Sequence, residues 1–71
     1  MNETAVAERH LTDRERQILQ ALATGANNRQ IARQLQIAEG TVRKHLEHAY
    51  AKLGVSTRTA ALVKVLTMST G

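Results

Sequence analysis

Four stretches of the chain place apolar residues at helical spacing, and each is bracketed by residues that start or stop helices. In "LTDRERQILQALATG", Ile18, Leu19, Leu22 and Ala23 share one face. Thr12 followed by Glu15 forms a capping-box pattern, in which a hydroxyl and a carboxylate satisfy backbone N–H groups at a helix start. Gly25 is a natural terminator, so the pattern predicts a helix over about residues 13–24. "NNRQIARQLQI" repeats the logic, with Asn27 as cap and Gln30 in the reciprocal position. Ile31, Ala32 and Leu35 form its buried side, while Arg29, Gln30, Arg33 and Gln34 stay in water. This second helix spans about 28–36, and only "IA" separates it from the next.

The third stretch has the cleanest stripe. Val42, Leu46, Ala49, Tyr50 and Leu53 follow i, i+4, i+7, i+8 and i+11, predicting a helix over about 39–53 that Gly54 ends. Ser56 then reads as the cap of a fourth helix over about 57–68. There Ala61, Leu62, Val65, Leu66 and Met68 cover an arc of about 160° at 100° per residue, with Leu66 expected to have a role in the core, and Ala60 and Val63 widen it further. A helix that only closes a small core needs less. Residues 1–10, "MNETAVAERH", have weak periodicity and read as a polar lead-in or linker remnant, leaving 11–71 as one domain. The expected class is all-α: a compact four-helix domain. A tight turn joining two helices, the second longer and basic outside, is the pattern of a helix-turn-helix reader.

Composition supports the all-α expectation. A chain of 71 residues buries only about 60% of its unfolded surface, which short helices packed through Ala, Leu, Val and Ile can manage. Neither cysteine nor proline is present, so no disulfide or thiolate-zinc site supports the fold. No apolar run reaches the length of a membrane span, and the first ten residues lack the pattern of a signal peptide. A soluble, cytoplasmic protein is therefore expected, with no membrane partner. Ten Lys and Arg against six Asp and Glu give +4. Leaving out residues 1–10 removes Arg9, Glu3 and Glu8, so nine face four, or +5. That surplus favours a polyanionic partner.

Opposite the Val42 stripe, a helical wheel puts Gly40, Arg43, Lys44, Glu47, His48 and Ala51 outside, with Thr41, His45 and Lys52 along one flank. Gly40 and Ala51 are small enough to let the backbone come close to whatever it meets. A major groove admits one helix, where Arg or Lys pairs with guanine O6 and N7 and a carboxylate accepts from cytosine N4. Thr41 and the flank residues are better placed for phosphate oxygens, which set register without reading sequence. The plainer alternative is that Arg43 and Glu47 form an ordinary i, i+4 surface pair. His45 and His48 lack a third metal ligand, so no metal site is expected. No serine or threonine has a catalytic His and carboxylate around it, and there is no Gly-rich phosphate loop. No enzyme, cofactor or small-molecule substrate is expected.

"LTDRERQIL", "NNRQIARQL", "EGTVRKHL" and "YAKLGVSTRTAAL" resemble, in order and spacing, the LuxR-type (GerE or FixJ/NarL-type) helix-turn-helix domain of bacterial transcription regulators. The resemblance covers about Leu11 to Leu66. It implies sequence-specific binding of double-stranded DNA, with the third helix in the major groove. Arg43, Lys44 and Glu47 match the positions that face bases; Asn28, Arg29, Thr41, His45 and Lys52 match candidates for backbone contacts. It also implies a homodimer through the last helix, for which Val63 and Leu66 are the expected interface residues. Inverted half-sites and recruitment of RNA polymerase belong to the same implied picture. In full-length regulators of this kind, response regulators among them, the domain usually follows a receiver or ligand-binding domain. Two departures stand out. Ala38 replaces the usual serine before the third helix, and Glu47 sits where many members carry a basic or neutral residue. A sigma-factor promoter-reading module, and a helical protein-interaction module without DNA binding, are the alternatives.

Overall fold

Both capping boxes close. In the computed structural model, which describes the backbone of residues 10–70 and the side chains of residues 10–67, helix α1 runs Asp13–Ala23, α2 Asn28–Leu35, α3 Glu39–Leu53 and α4 Arg58–Thr70. No strand occurs among the described residues. Thr12 Oγ1 accepts from the Glu15 N–H at 3.1 Å, and the Thr12 N–H donates to Glu15 Oε1 at 2.9 Å. Asn27 and Gln30 exchange the same two bonds, each at 2.8 Å. The expected lead-in falls outside the described residues except for His10, and the Met68 side chain lies outside them as well.

The helix ends share one device. After α1, α2 and α3 the chain passes through a left-handed residue: Gly25 (φ 93°), Gln36 (φ 58°) and Gly54 (φ 72°). In each case the next N–H reaches back to the helix, Ala26 to the Ala21 carbonyl, Ile37 to Ala32, and Val55 to Tyr50. This is the Schellman stop, and the residue after each left-handed position is apolar: Ala26 belongs to the core, and Ile37 and Val55 pack against it. A single motif thus reverses the chain three times and buries something at each reversal. Only α2 uses it without glycine.

The core is built from Leu11, Ile18, Leu19, Leu22, Ala26, Ile31, Ala32, Val42, Leu46, Ala49, Leu53, Ala61 and Val65. α3 packs against α1 and α2, and α1 also carries α4. The α3 stripe is confirmed, with Tyr50 half-buried at its edge. Four expectations need correcting. Ala23 is exposed, because the buried arc of α1 is centred on Leu22 and Glu15 and Ala23 falls beyond its rim. α2 ends at Leu35, so the turn into α3 is Gln36–Ala38, one residue longer than "IA". The fourth helix is capped by Thr57, whose Oγ1 accepts from the Ala60 N–H at 3.1 Å, and not by Ser56. Leu66 takes no part in the core: Ala61 and Val65 face inward, whereas Leu66 is 58% and Val63 59% exposed.

Candidate nucleic-acid interface

The rotation of α3 follows from its buried side. With Val42, Leu46, Ala49 and Leu53 held inside, Arg43, Lys44, Glu47 and His48 are driven outward and all are exposed. Thr41 is exposed on the first turn, and His45 is half-buried on the flank. Among the described residues, no hydrogen bond or ion pair engages the side chains of Arg43, Lys44 or Glu47; the i, i+4 pair of Arg43 with Glu47 is not formed. The charged face is therefore not occupied with its own neighbours.

α2 stands behind it. Ile31 and Ala32 are buried and anchor the helix, leaving Arg29 and Arg33 exposed and Asn28 half-exposed at its start. Arg29, Arg33, Gln36 and Glu39 rim an open groove over Ala32 and Ile37, where the end of α2 meets the start of α3. At that start Ala38 is the N-cap and offers no side-chain hydrogen bond. Glu39 in the first turn faces the positive end of the helix dipole, which offsets part of the missing cap.

Lys52 has a partner inside the protein. Its Nζ lies 2.7 Å from Oε1 of Glu15, a carboxylate only 3% exposed. Burial alone would push the Glu15 carboxyl up; the hydrogen bonds from Lys52 and the Thr12 backbone, with the Lys52 charge, outweigh it and hold the pKa below its ordinary value. Lys52 was expected on the DNA backbone. In the free protein its ammonium holds α3 to α1. A second long-range contact comes from Arg58 at the start of α4, which donates from Nη2 to the Ala26 carbonyl at 2.6 Å and from Nη1 to Asn28 Oδ1 at 3.2 Å. Among the described residues no group of three or more His, Asp or Glu side chains is arranged to hold a metal ion. No described helix is long and apolar enough to cross a membrane.

An outward basic helix supported by a second helix across a three-residue turn is the geometry of a helix-turn-helix. Residues 9–65 match the family described as bacterial regulatory proteins, luxR family. The chain belongs to the luxR family. It is thus a helix-turn-helix domain of the DNA-binding, transcription-regulating kind. This luxR-family chain is 43% identical over 58 residues to the spore germination protein GerE of Bacillus subtilis, covering 82% of this chain and 78% of that protein. It is 51% identical over 53 residues to the nitrate/nitrite response regulator protein homolog of Haemophilus influenzae, covering 75% of this chain and 26% of that one. It is 46% identical over 56 residues to the probable HTH-type transcriptional regulator GfsR of Streptomyces halstedii, covering 79% and 23%. The luxR-family chain therefore spans about a quarter of the length of these last two relatives.

Two contacts behind the candidate interface were not read from the sequence, that of Arg58 with Asn28 and that of Glu15 with Lys52. Arg58 meets Asn28 across thirty residues of chain, and no local pattern announces such a contact. Glu15 did carry a signal: it precedes Ile18, Leu19 and Leu22 by three, four and seven residues, which sets it on the buried face.

Proposed function

We propose that this chain binds double-stranded DNA sequence-specifically, with α3 in the major groove and Arg43, Lys44 and Glu47 toward the bases. The observation that carries this reading is that these three side chains are exposed together on α3 and unengaged within the described protein. Arg43 and Lys44 have the donors for guanine O6 and N7, and Glu47 accepts from cytosine N4. Next to phosphate Glu47 is repelled, so it disfavours random sequence and tolerates only sites that offer a donor. Thr41 and His45 on α3, with Asn28 and Arg29 at the start of α2, take backbone phosphates. Lys52 joins them only through the donors that Glu15 leaves over.

Two copies pair through α4 on inverted half-sites. Val63 and Leu66, one turn apart and both more than half exposed, support that pairing. Recruitment of RNA polymerase by the bound dimer completes the regulatory reading. The same exposed pair is what a protein-interaction module without DNA binding would display, so the two readings separate on duplex affinity. Arg43→Ala and Lys44→Ala are expected to weaken specific binding by about 1–3 kcal/mol each, and Arg29→Ala to weaken every sequence alike. If Arg43→Ala and Lys44→Ala bind all duplexes as the parent does, α3 is not the reader.

A further inference from the structure

Arg58 belongs to the first turn of α4, yet both hydrogen bonds of its guanidinium end at the entrance of α2. The bond to the Ala26 carbonyl serves the fold. It satisfies an acceptor of a residue that is only 7% exposed, in the turn between α1 and α2. The bond to Asn28 Oδ1 has another consequence. A carboxamide has an acceptor end and a donor end, and here the acceptor end is taken by a cation that does not deprotonate. The Nδ2 group, with its two N–H donors, is the end left over. A phosphate ester oxygen only accepts, so of the two orientations open to the Asn28 carboxamide one binds DNA and the other repels it.

We propose that Arg58 is a positioning residue for DNA: it holds the Asn28 carboxamide with its donor end outward, ready for a backbone phosphate. This rests on the DNA-binding reading above. Asn28 is the first residue of α2 and is followed by the exposed Arg29, so the oriented donor and a cation are presented side by side. Without the guanidinium, Asn28 turns either way and must be ordered each time DNA arrives. Arg58 acts through Asn28 and equally on every sequence, because phosphates carry no base identity.

The test is a double-mutant cycle read by fluorescence anisotropy on a mixed-sequence duplex, with thermal melts confirming that each variant is folded. Arg58→Lys keeps the charge, but a single ammonium cannot span two acceptors held by a guanidinium fork. It is expected to weaken binding about three- to tenfold, the span of one ordinary hydrogen bond, by the same factor on unrelated duplexes. In an Asn28→Ala background the same substitution is expected to change affinity by less than about twofold. If Arg58→Lys melts below the assay temperature, Arg58→Gln takes its place in the same cycle, since its carboxamide has no guanidinium fork with which to hold Asn28. Parent-like binding by the Arg58 variant, or its full effect without Asn28, overturns the role of Arg58 while leaving DNA binding intact. A parent protein with no duplex affinity overturns both.

Discussion

Lys52 Nζ stands 2.7 Å from Glu15 Oε1, so the last turn of α3 is bonded to the first turn of α1. The same carboxylate oxygen accepts the Thr12 N–H that opens α1. One buried acceptor thus caps one helix and anchors another. Removing the lysine leaves a carboxylate with little water and one remaining donor. Lys52→Met is expected to destabilise the fold by about 1–3 kcal/mol, below the range for a fully buried pair because the lysine side chain is 33% exposed. Urea denaturation checks this, and an unchanged midpoint contradicts it.

The pH dependence has a definite sign. Glu15 titrates lower in the folded chain than its ordinary 4.5, so its stabilising contribution is complete above about that pH. It is lost as pH falls through the lower, folded value. Urea midpoints should therefore drop on the acid side in the parent and drop less in Glu15→Gln. Parallel acid limbs would mean that Glu15 is not the group responsible.

Gln36 occupies at φ 58° the place that glycine holds after α1 and α3. A side chain there crowds its own carbonyl, at a cost of roughly 1–2 kcal/mol. Gln36→Gly is expected to stabilise the domain by about 0.5–1 kcal/mol after the added freedom of the unfolded glycine is subtracted. Gln36→Val should destabilise it. Melting curves for the pair settle the matter, and a lower melting temperature for the glycine variant refutes it.

Ala38 leaves the N-terminus of α3 without a side-chain cap, unlike Thr12 and Asn27 on the two preceding helices. Ala38→Ser supplies the missing acceptor, and the expected gain is about 0.5–2 kcal/mol in chemical denaturation. No gain would mean that Glu39 already compensates through the dipole.

Val63 and Leu66 are expected to carry the pairing of two copies on DNA. Both lie on the surface, so Val63→Asp and Leu66→Asp should leave monomer stability within about 0.5 kcal/mol of the parent. Each should convert cooperative binding at a two-half-site duplex into weak half-site binding. Undiminished cooperativity in both variants removes α4 as the interface.

The secondary structure was almost wholly legible because each helix carries its own signals. Thr12 with Glu15, Asn27 with Gln30, and the glycines at 25 and 54 act over three to six residues. What failed lay at longer range or on weak signals. The adjacent Ser56 and Thr57 are both able to cap, and only the backbone path chooses between them. α4 is apolar over so much of its circumference that its pattern does not say which side faces in; α1 and α3 select Ala61 and Val65 and leave Leu66 in water. In the interface, the outward set on α3 was readable because the opposite stripe is unambiguous. The partners of Lys52 and Arg58 were not, since they depend on how α1 and α4 dock.

The most direct test of the central claim is an amide NMR titration with a mixed-sequence DNA duplex, at low and then moderate salt. Shifts are expected to concentrate on residues 27–29 and 39–48 and to fade as salt rises, because phosphate contacts release counterions. Shifts confined to residues 57–68, or no shifts at all, would contradict α3 as the DNA-reading surface.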